Sequence, residues 1–207
     1  MLALPTQDGA TRLILIRHGE VEEDARRRCY GRLDVKLSPL GHEQAARTAE
    51  WIAELPIAAL WSSPLTRAVD SAAPLARATG LAPRLHDGLR EIDCGQLEGM
   101  TYPEIRERYP EMYAEWRARL AHTRFPGGES YVELHARVTA VAAEIRAAHA
   151  KAAVAIVAHG GVTRALLADA LGLGAEALFR LDQSYAGVSV IDYYSETAVV
   201  RVMNATP

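Results

Sequence analysis

The sequence predicts an α/β fold: a three-layer α/β/α sandwich around a mostly parallel central sheet, with one antiparallel edge strand and a helical lid insertion. Three observations predict it. Short apolar runs alternate with stretches of helical periodicity, the pattern of strands covered on both faces by crossover helices. The last two β-like stretches are separated by too few residues for a parallel crossover, so one of them is expected to run antiparallel. Between the two halves lies Cys94 to Gly128, rich in Tyr, Trp, Arg and Glu, which reads as helical turns lying over the body.

Residues 1–10 carry Pro5, Gln7, Asp8 and Gly9 and read as a loose arm; residues 11–207 read as a single domain. Leu13 to Ile16 (LILI) is a continuous apolar run, as expected of a strand buried on both faces. Pro39 to Ala53 has helical periodicity, with Ser38 placed as N-cap and Pro39 at the first helical position. Ala58 to Ser62 reads as a second strand, and Ser63-Pro64 repeats the cap signal before a helix reaching about Ala78. A short extended piece lies near Ala82 to Leu85. After the lid region, Glu129 to Ala150 forms an amphipathic helix and Val154 to Ala158 an apolar strand. A helix follows from Val162, and Val188 to Tyr193 and Ala198 to Val202 finish the sheet.

Bulk properties narrow the function. A chain of 207 residues, 49% hydrophobic and 24% charged, is long enough for one domain with a full core. Its net charge of −3 offers no broad basic field, so nucleic acid is not an expected partner, whereas a local arginine cluster can still bind a small anion. Cys29 and Cys94 form no metal-ligand spacing and look like reduced thiols. The start is too short and polar for a signal peptide, and no apolar run approaches membrane-spanning length. The expectation is a soluble cytoplasmic protein with no membrane partner; a homodimer is left open.

Ligands in such sheets bind at the carboxyl ends of the strands. Two strands end alike there: LILI runs into Arg17-His18-Gly19-Glu20, and VAIVA into His159-Gly160-Gly161. One histidine after a strand is ordinarily structural, but two in matching positions, one preceded by arginine, point to chemistry. A third strand end supplies Ser62-Ser63-Pro64-Leu65-Thr66-Arg67, where a helix start offers free N–H groups and Arg67 can point back to the same mouth. Arg17 and Arg67 then provide two guanidinium forks, matched to bidentate phosphate binding. Glu91, beside Ile92 and just before the lid, is placed where a partly desolvated carboxyl group can protonate a leaving oxygen and then take a proton from water.

The ordered set RHGE, YGRLDVKLSPLGHEQA, SSPLTRA, LREIDCGQLEG, FPGGES and VAHGG resembles the histidine phosphatase superfamily, the phosphoglycerate-mutase-like family, from about Leu13 to Asn204. The resemblance implies that His18 is the nucleophile that becomes phosphorylated. Arg17, Arg67 and His159 would hold the phosphoryl oxygens, and Glu91 would be the general acid and base. Tyr30, Gly31 and Gly160 join them as substrate-binding candidates. No metal or cofactor is called for, because the arginines and His159 supply the charge that a cation would supply elsewhere. One position departs. Many members carry asparagine six residues beyond the nucleophile, whereas this chain has Asp24, and a carboxylate facing phosphate would repel it. The run Arg26, Arg27, Arg28 and Arg32 reads as a solvated loop or as a rim for an anionic tail.

EIDCGQLEGM is closer to the phosphatase members than to the cofactor-dependent mutases. CYGRLDVKLS and FRLDQSYAGVSVIDY look similar to α-ribazole-5′-phosphate phosphatases. Tyr102, Tyr109, Tyr113 and Trp116 are either an aromatic lid able to stack on a benzimidazole or lid packing against the body. The resemblance thus implies a phosphomonoesterase acting on a small phosphorylated metabolite. The alternatives are mutase-type phosphoryl transfer, a non-catalytic phosphate-binding module, and a metallohydrolase built on His18, Glu20, His42 and His159.

Overall fold

The computed structural model describes residues 2–207; Met1, the first residue of the expected arm, lies outside them. Six strands form one sheet: β1 (Thr11–Arg17), β2 (Ile57–Ser62), β3 (Arg84–Leu85), β4 (Ala153–Ala158), β5 (Val188–Tyr193) and β6 (Ala198–Ala205), in the order β3-β2-β4-β1-β5-β6. Strands β1 to β4 pair in parallel. One strand, β5, runs against the others, pairing antiparallel with β1 on one side and β6 on the other. It therefore sits one place in from the edge, because the short turn after it brings β6 back along its outer side.

The helices are α1 (Glu23–Arg26), α2 (Pro39–Ile52), α3 (Thr66–Thr79), α4 (Tyr102–Arg108), α5 (Pro110–Ala118), α6 (Tyr131–Ala148) and α7 (Gly160–Ala170). Alternation along β1 divides the core. Leu13 and Leu15 face α6, α7 and the lid, whereas Ile14 and Ile16 face α2 and α3. Every residue of β4 is buried, which explains its unbroken apolar sequence. Caps fix the helix starts. Ser38 accepts from the Gly41 N–H at 3.0 Å with Pro39 following, and Ser130 and Glu133 form a capping box that opens α6 at Tyr131.

Three local expectations are corrected. The N-terminal arm is laid against the body: Leu2 is buried against the α2 side of the core, and its N–H donates to the Trp51 carbonyl at 3.0 Å. Ser63-Pro64 does not cap α3, which starts at Thr66 with Leu65 as its N-cap and no side-chain cap. The Ser63 hydroxyl instead faces His159. The N–H of Thr66 is not free at the helix start, because Asp34 accepts it at 2.8 Å.

Candidate active site

The central pairing of β1 with β4 sets Arg17 opposite Ala158, so His18 and His159 follow side by side at the ends of adjacent parallel strands. Their ring centroids are 5.3 Å apart. The main chain of His18 is held on both sides, its N–H donating to Ala158 and its carbonyl accepting from Ala186. Both histidines are buried.

The ring of His18 lies with Nδ1 2.7 Å from the Gly19 carbonyl. A carbonyl only accepts, so Nδ1 carries the proton and the lone pair is left on Nε2. Burial first, and then the charges of Arg17 and Arg67, hold the ring well below its ordinary pKa. His159 is lowered in the same way, by burial, then by Arg67, His18 and Arg17. Both rings therefore stay neutral as pH falls through 6.5, where an unfolded chain protonates its histidines. Their share of stability is complete above that pH and is lost below it, since the unfolded chain then binds more protons.

Ser63 assigns the tautomer of His159. Its Oγ accepts from the Leu65 N–H at 3.4 Å and lies 2.7 Å from His159 Nε2, the one protein acceptor within reach of its proton, so the hydroxyl is assigned as donor to that nitrogen. The proton of His159 is then on Nδ1, which is buried and has no protein partner.

Arg67 has both Nη groups engaged by the protein, whereas Arg17 has only Nη1 engaged and keeps its Nε and Nη2 without a protein partner. Nη1 of Arg67 donates to the Leu33 carbonyl at 2.9 Å, and Nη2 to those of Gly31 at 2.7 Å and Tyr30 at 3.3 Å. Fully enclosed, Arg67 is far from the solvated helix charge its position allowed. Arg17 Nη1 donates to the Gln183 carbonyl at 2.5 Å, and its guanidinium lies 4.0 Å from the centre of the Tyr185 ring. What remains unpartnered and buried is the Nε–H of each arginine. Three orphaned donors, Arg17 Nε, Arg67 Nε and His159 Nδ1, thus accompany one neutral nucleophilic nitrogen. Buried donors without partners are costly, and a bound anion is what satisfies such a set.

Lysine at position 67 keeps the charge but cannot bond three carbonyls and still direct a donor inward. Arg67→Lys is expected to lower kcat/KM by about 10²–10³-fold, the scale of losing one oriented oxyanion donor. Steady-state kinetics alongside a thermal melt check this; a near-native rate would remove Arg67 from the site.

Glu91 reaches the site from the segment before the lid. Its Oε2 accepts from the Gly161 N–H and its Oε1 from the Ile92 N–H, both at 2.9 Å. Arg137 on α6 braces that segment, donating to the carbonyls of Gly88 at 2.8 Å and Arg90 at 3.1 Å while paired with Glu129. A Cβ at Gly161 would lie 2.2 Å from Glu91 Oε1. Gly161→Ala is therefore expected to push the carboxylate aside, cutting any turnover that depends on Glu91 by about 10²-fold from misplacement alone. The melting temperature should barely move, because the displaced atom ends a flexible side chain. A fully active alanine variant would contradict this placement.

Arg17, His18, Tyr30, Gly31, Glu91 and Gly161 line one cavity of about 130 Å³. Arg67 and His159 are buried behind it, and Gly160 lies against Arg17 and Arg164. A Cβ at Gly31 would meet the Ile92 carbonyl at 1.9 Å, so only glycine lets this loop pass. Asp24 is exposed on α1 and does not line the cavity. Of the arginine run, Arg28 lines the cavity, Arg26 donates to Glu20, and Arg32 pairs with Asp93 and Glu129. Glu20 is occupied by Ser38 and Arg26. Among the described residues no group of three His, Cys, Asp or Glu side chains is arranged to hold a metal ion. None of the helices is long and apolar enough to cross a membrane.

Sequence reasoning gave Ser63 only a helix-cap role, and none to Arg164 or Tyr185. Arg164 lines the cavity from the first turns of α7, and the hydroxyls of Tyr185 and Tyr30 are 3.1 Å apart. Arg164 had a signal, since it follows HGG much as Arg67 follows the second strand; Tyr185 had none.

Next to this cavity lies an aromatic groove of about 420 Å³, lined by Tyr102, Trp116, Arg117, Leu120, Tyr131 and Phe179. The two spaces share Tyr102, Tyr131 and Phe179. The lid aromatics thus divide: Tyr102 stacks on Trp116 in the groove, whereas Tyr109 and Tyr113 pack against the core.

Comparison with known proteins places these features in context. The family model of the histidine phosphatase superfamily (branch 1) matches residues 13–206. A bifunctional protein of Mycobacterium tuberculosis is 38% identical over 198 residues, covering 95% of this chain but 54% of that protein, so the chain spans about half the length of this relative. The structure of a mycobacterial glucosyl-3-phosphoglycerate phosphatase superposes with a TM-score of 0.86 at 32% identity, covering 95% of this chain and all of that one. That of the α-ribazole phosphatase from Shigella flexneri gives 0.87 at 26% identity, covering 94% and 96%.

Proposed function

This chain belongs to the histidine phosphatase superfamily, and from that premise we propose that it is a phosphomonoesterase working through a phosphohistidine at His18. The observation that carries the proposal is the set of three orphaned buried donors around a neutral imidazole whose Nε2 is free. A phosphate monoester satisfies those donors with its non-bridging oxygens. Nε2 attacks phosphorus, the ester P–O bond breaks, and Glu91 gives the departing oxygen its proton. Water then attacks the phosphohistidine while Glu91 takes a proton back, and inorganic phosphate leaves. Positive charge and alignment are what phosphoryl transfer chiefly requires.

The substrate we propose is a small metabolite whose phosphate is attached to a group with a flat aromatic part, with α-ribazole 5′-phosphate as the leading candidate. The groove beside the cavity supports this reading, since its aromatic faces suit a heteroaromatic ring. A cytoplasmic setting belongs to the same proposal and accords with two free thiols. The test ranks phosphate monoesters by kcat/KM without a bisphosphate primer. α-Ribazole 5′-phosphate is expected to exceed ribose 5-phosphate by about 10-fold, the worth of one good aromatic contact. Equal values for both, or a better rate with phosphoserine, would remove the aromatic substrate class and leave the phosphatase chemistry standing.

A further inference from the structure

Cys29 and Cys94 take no part in the chemistry above, yet both line the cavity that contains His18. They arrive from separate segments. Cys29 precedes the Tyr30–Gly31 turn, and its carbonyl accepts from Gly99 while its N–H donates to Met100. Cys94 closes the segment that carries Glu91; it is 3% exposed and its N–H is taken by Glu98. Glu98 also accepts from the Arg32 N–H at 2.7 Å, so one carboxylate ties the two segments together. Between the thiols and the loop there is little slack: a Cβ at Gly31 would lie 2.8 Å from Cys94 Sγ. Cys94 Sγ thus packs against the loop that carries Cys29, and the neighbouring Cys29 thiol, then burial, raise the Cys94 thiol above its ordinary pKa.

We propose that Cys29 and Cys94 are an oxidisable dithiol in the wall of the phosphate site, which a hydroperoxide converts to an intramolecular disulfide that weakens phosphate binding. Cys29, the more accessible of the two, attacks one peroxide oxygen as its thiolate. The O–O bond breaks, water or an alcohol leaves, and Cys29 becomes a sulfenic acid. Cys94 sulfur then attacks the Cys29 sulfur, the S–O bond breaks, and the departing hydroxide takes the Cys94 proton as water. The dithiol has lost two electrons and two protons, and the peroxide has been reduced.

The disulfide reaches the phosphate site through Arg67. An S–S bond of ~2.05 Å is far shorter than the van der Waals contact of two free thiols, so at least one cysteine must move. Cys94 is enclosed, whereas Cys29 is half-buried in a segment without regular structure. Moving Cys29 carries Tyr30 and Gly31 with it, and their carbonyls hold Nη2 of Arg67.

The test treats the reduced full-length chain with hydrogen peroxide and traps remaining thiols with N-ethylmaleimide. Intact mass is expected to show the loss of two hydrogens and no alkylation, where the reduced chain takes two labels. The dissociation constant for inorganic phosphate, by calorimetry, should rise about 10-fold, equivalent to ~1.4 kcal/mol, and dithiothreitol should restore it. Cys29→Ser and Cys94→Ala should each lose this reversible response, judged as the ratio of oxidised to reduced affinity within each variant. Two alkylatable thiols surviving in the wild-type chain would overturn the proposal, as would a disulfide that leaves phosphate affinity unchanged. The mass and thiol readouts do not depend on which ester the cavity hydrolyses.

Discussion

His18→Ala is expected to lower turnover by about 10⁵–10⁶-fold, the scale seen when a covalent hydrolase loses its nucleophile. No other group can substitute. His159 is buried with Nε2 taken by Ser63. The fold should survive the change, because the main chain at position 18 stays in its bonds to Ala158 and Ala186. Its melting temperature below pH 6.5 should fall less steeply than that of the native chain, since one ring with a depressed pKa has been removed. Chemical quench of the native enzyme during turnover should yield acid-labile, base-stable phosphate on His18. Phosphate on a serine or an aspartate, or a substantially active alanine variant, would end the phosphohistidine mechanism.

Glu91→Gln is expected to separate leaving groups. An alkyl alcohol leaves poorly without a proton, so phosphorylation of His18 by an alkyl phosphate should slow by about 10²–10⁴-fold. An activated aryl oxygen departs unprotonated, and that step should change far less. Dephosphorylation should slow for both, because attacking water has lost its base. Glutamine also gives up one of the two N–H contacts, to Ile92 or Gly161, since its amide nitrogen cannot accept. A merely positional effect of that loss would slow alkyl and aryl esters alike, so single-turnover rates distinguish the two roles. Equal losses would make Asp93 the next candidate for the acid.

The parts of the site that were legible in the sequence are those with a local signature. The apolar strand runs ended at the end of β4 and one residue short of the end of β1, and the histidine–glycine pairs after them marked the mouth of the sheet. Even the antiparallel turn of β5 followed from the short separation of two segments, although β6 continues to Ala205, because an evenly half-buried edge strand shows no clear alternation. What escaped depends on contacts between segments far apart in the chain. Nothing near Ser63 announces that its hydroxyl faces His159, and nothing near Arg67 shows that its fork is occupied by Tyr30, Gly31 and Leu33. The four-residue α1 is too short to establish a period of its own. The sequence thus puts an arginine just beyond the end of the second strand, but not the carbonyls of Tyr30, Gly31 and Leu33 that hold it.

The spacing of the two histidines has a thermal corollary. They are fixed at neighbouring strand ends, about 4.8 Å apart by the geometry of any sheet, and cannot separate unless the β1–β4 ladder breaks. The groove rests partly on α4 and α5, short helices of which α5 has no fully buried residue. Local opening follows local burial. On warming, the lid is expected to loosen while the histidine pair stays assembled. Any preference the groove confers between two phosphate esters should then fade at a lower temperature than phosphate release itself, as rates for both esters measured against temperature would check.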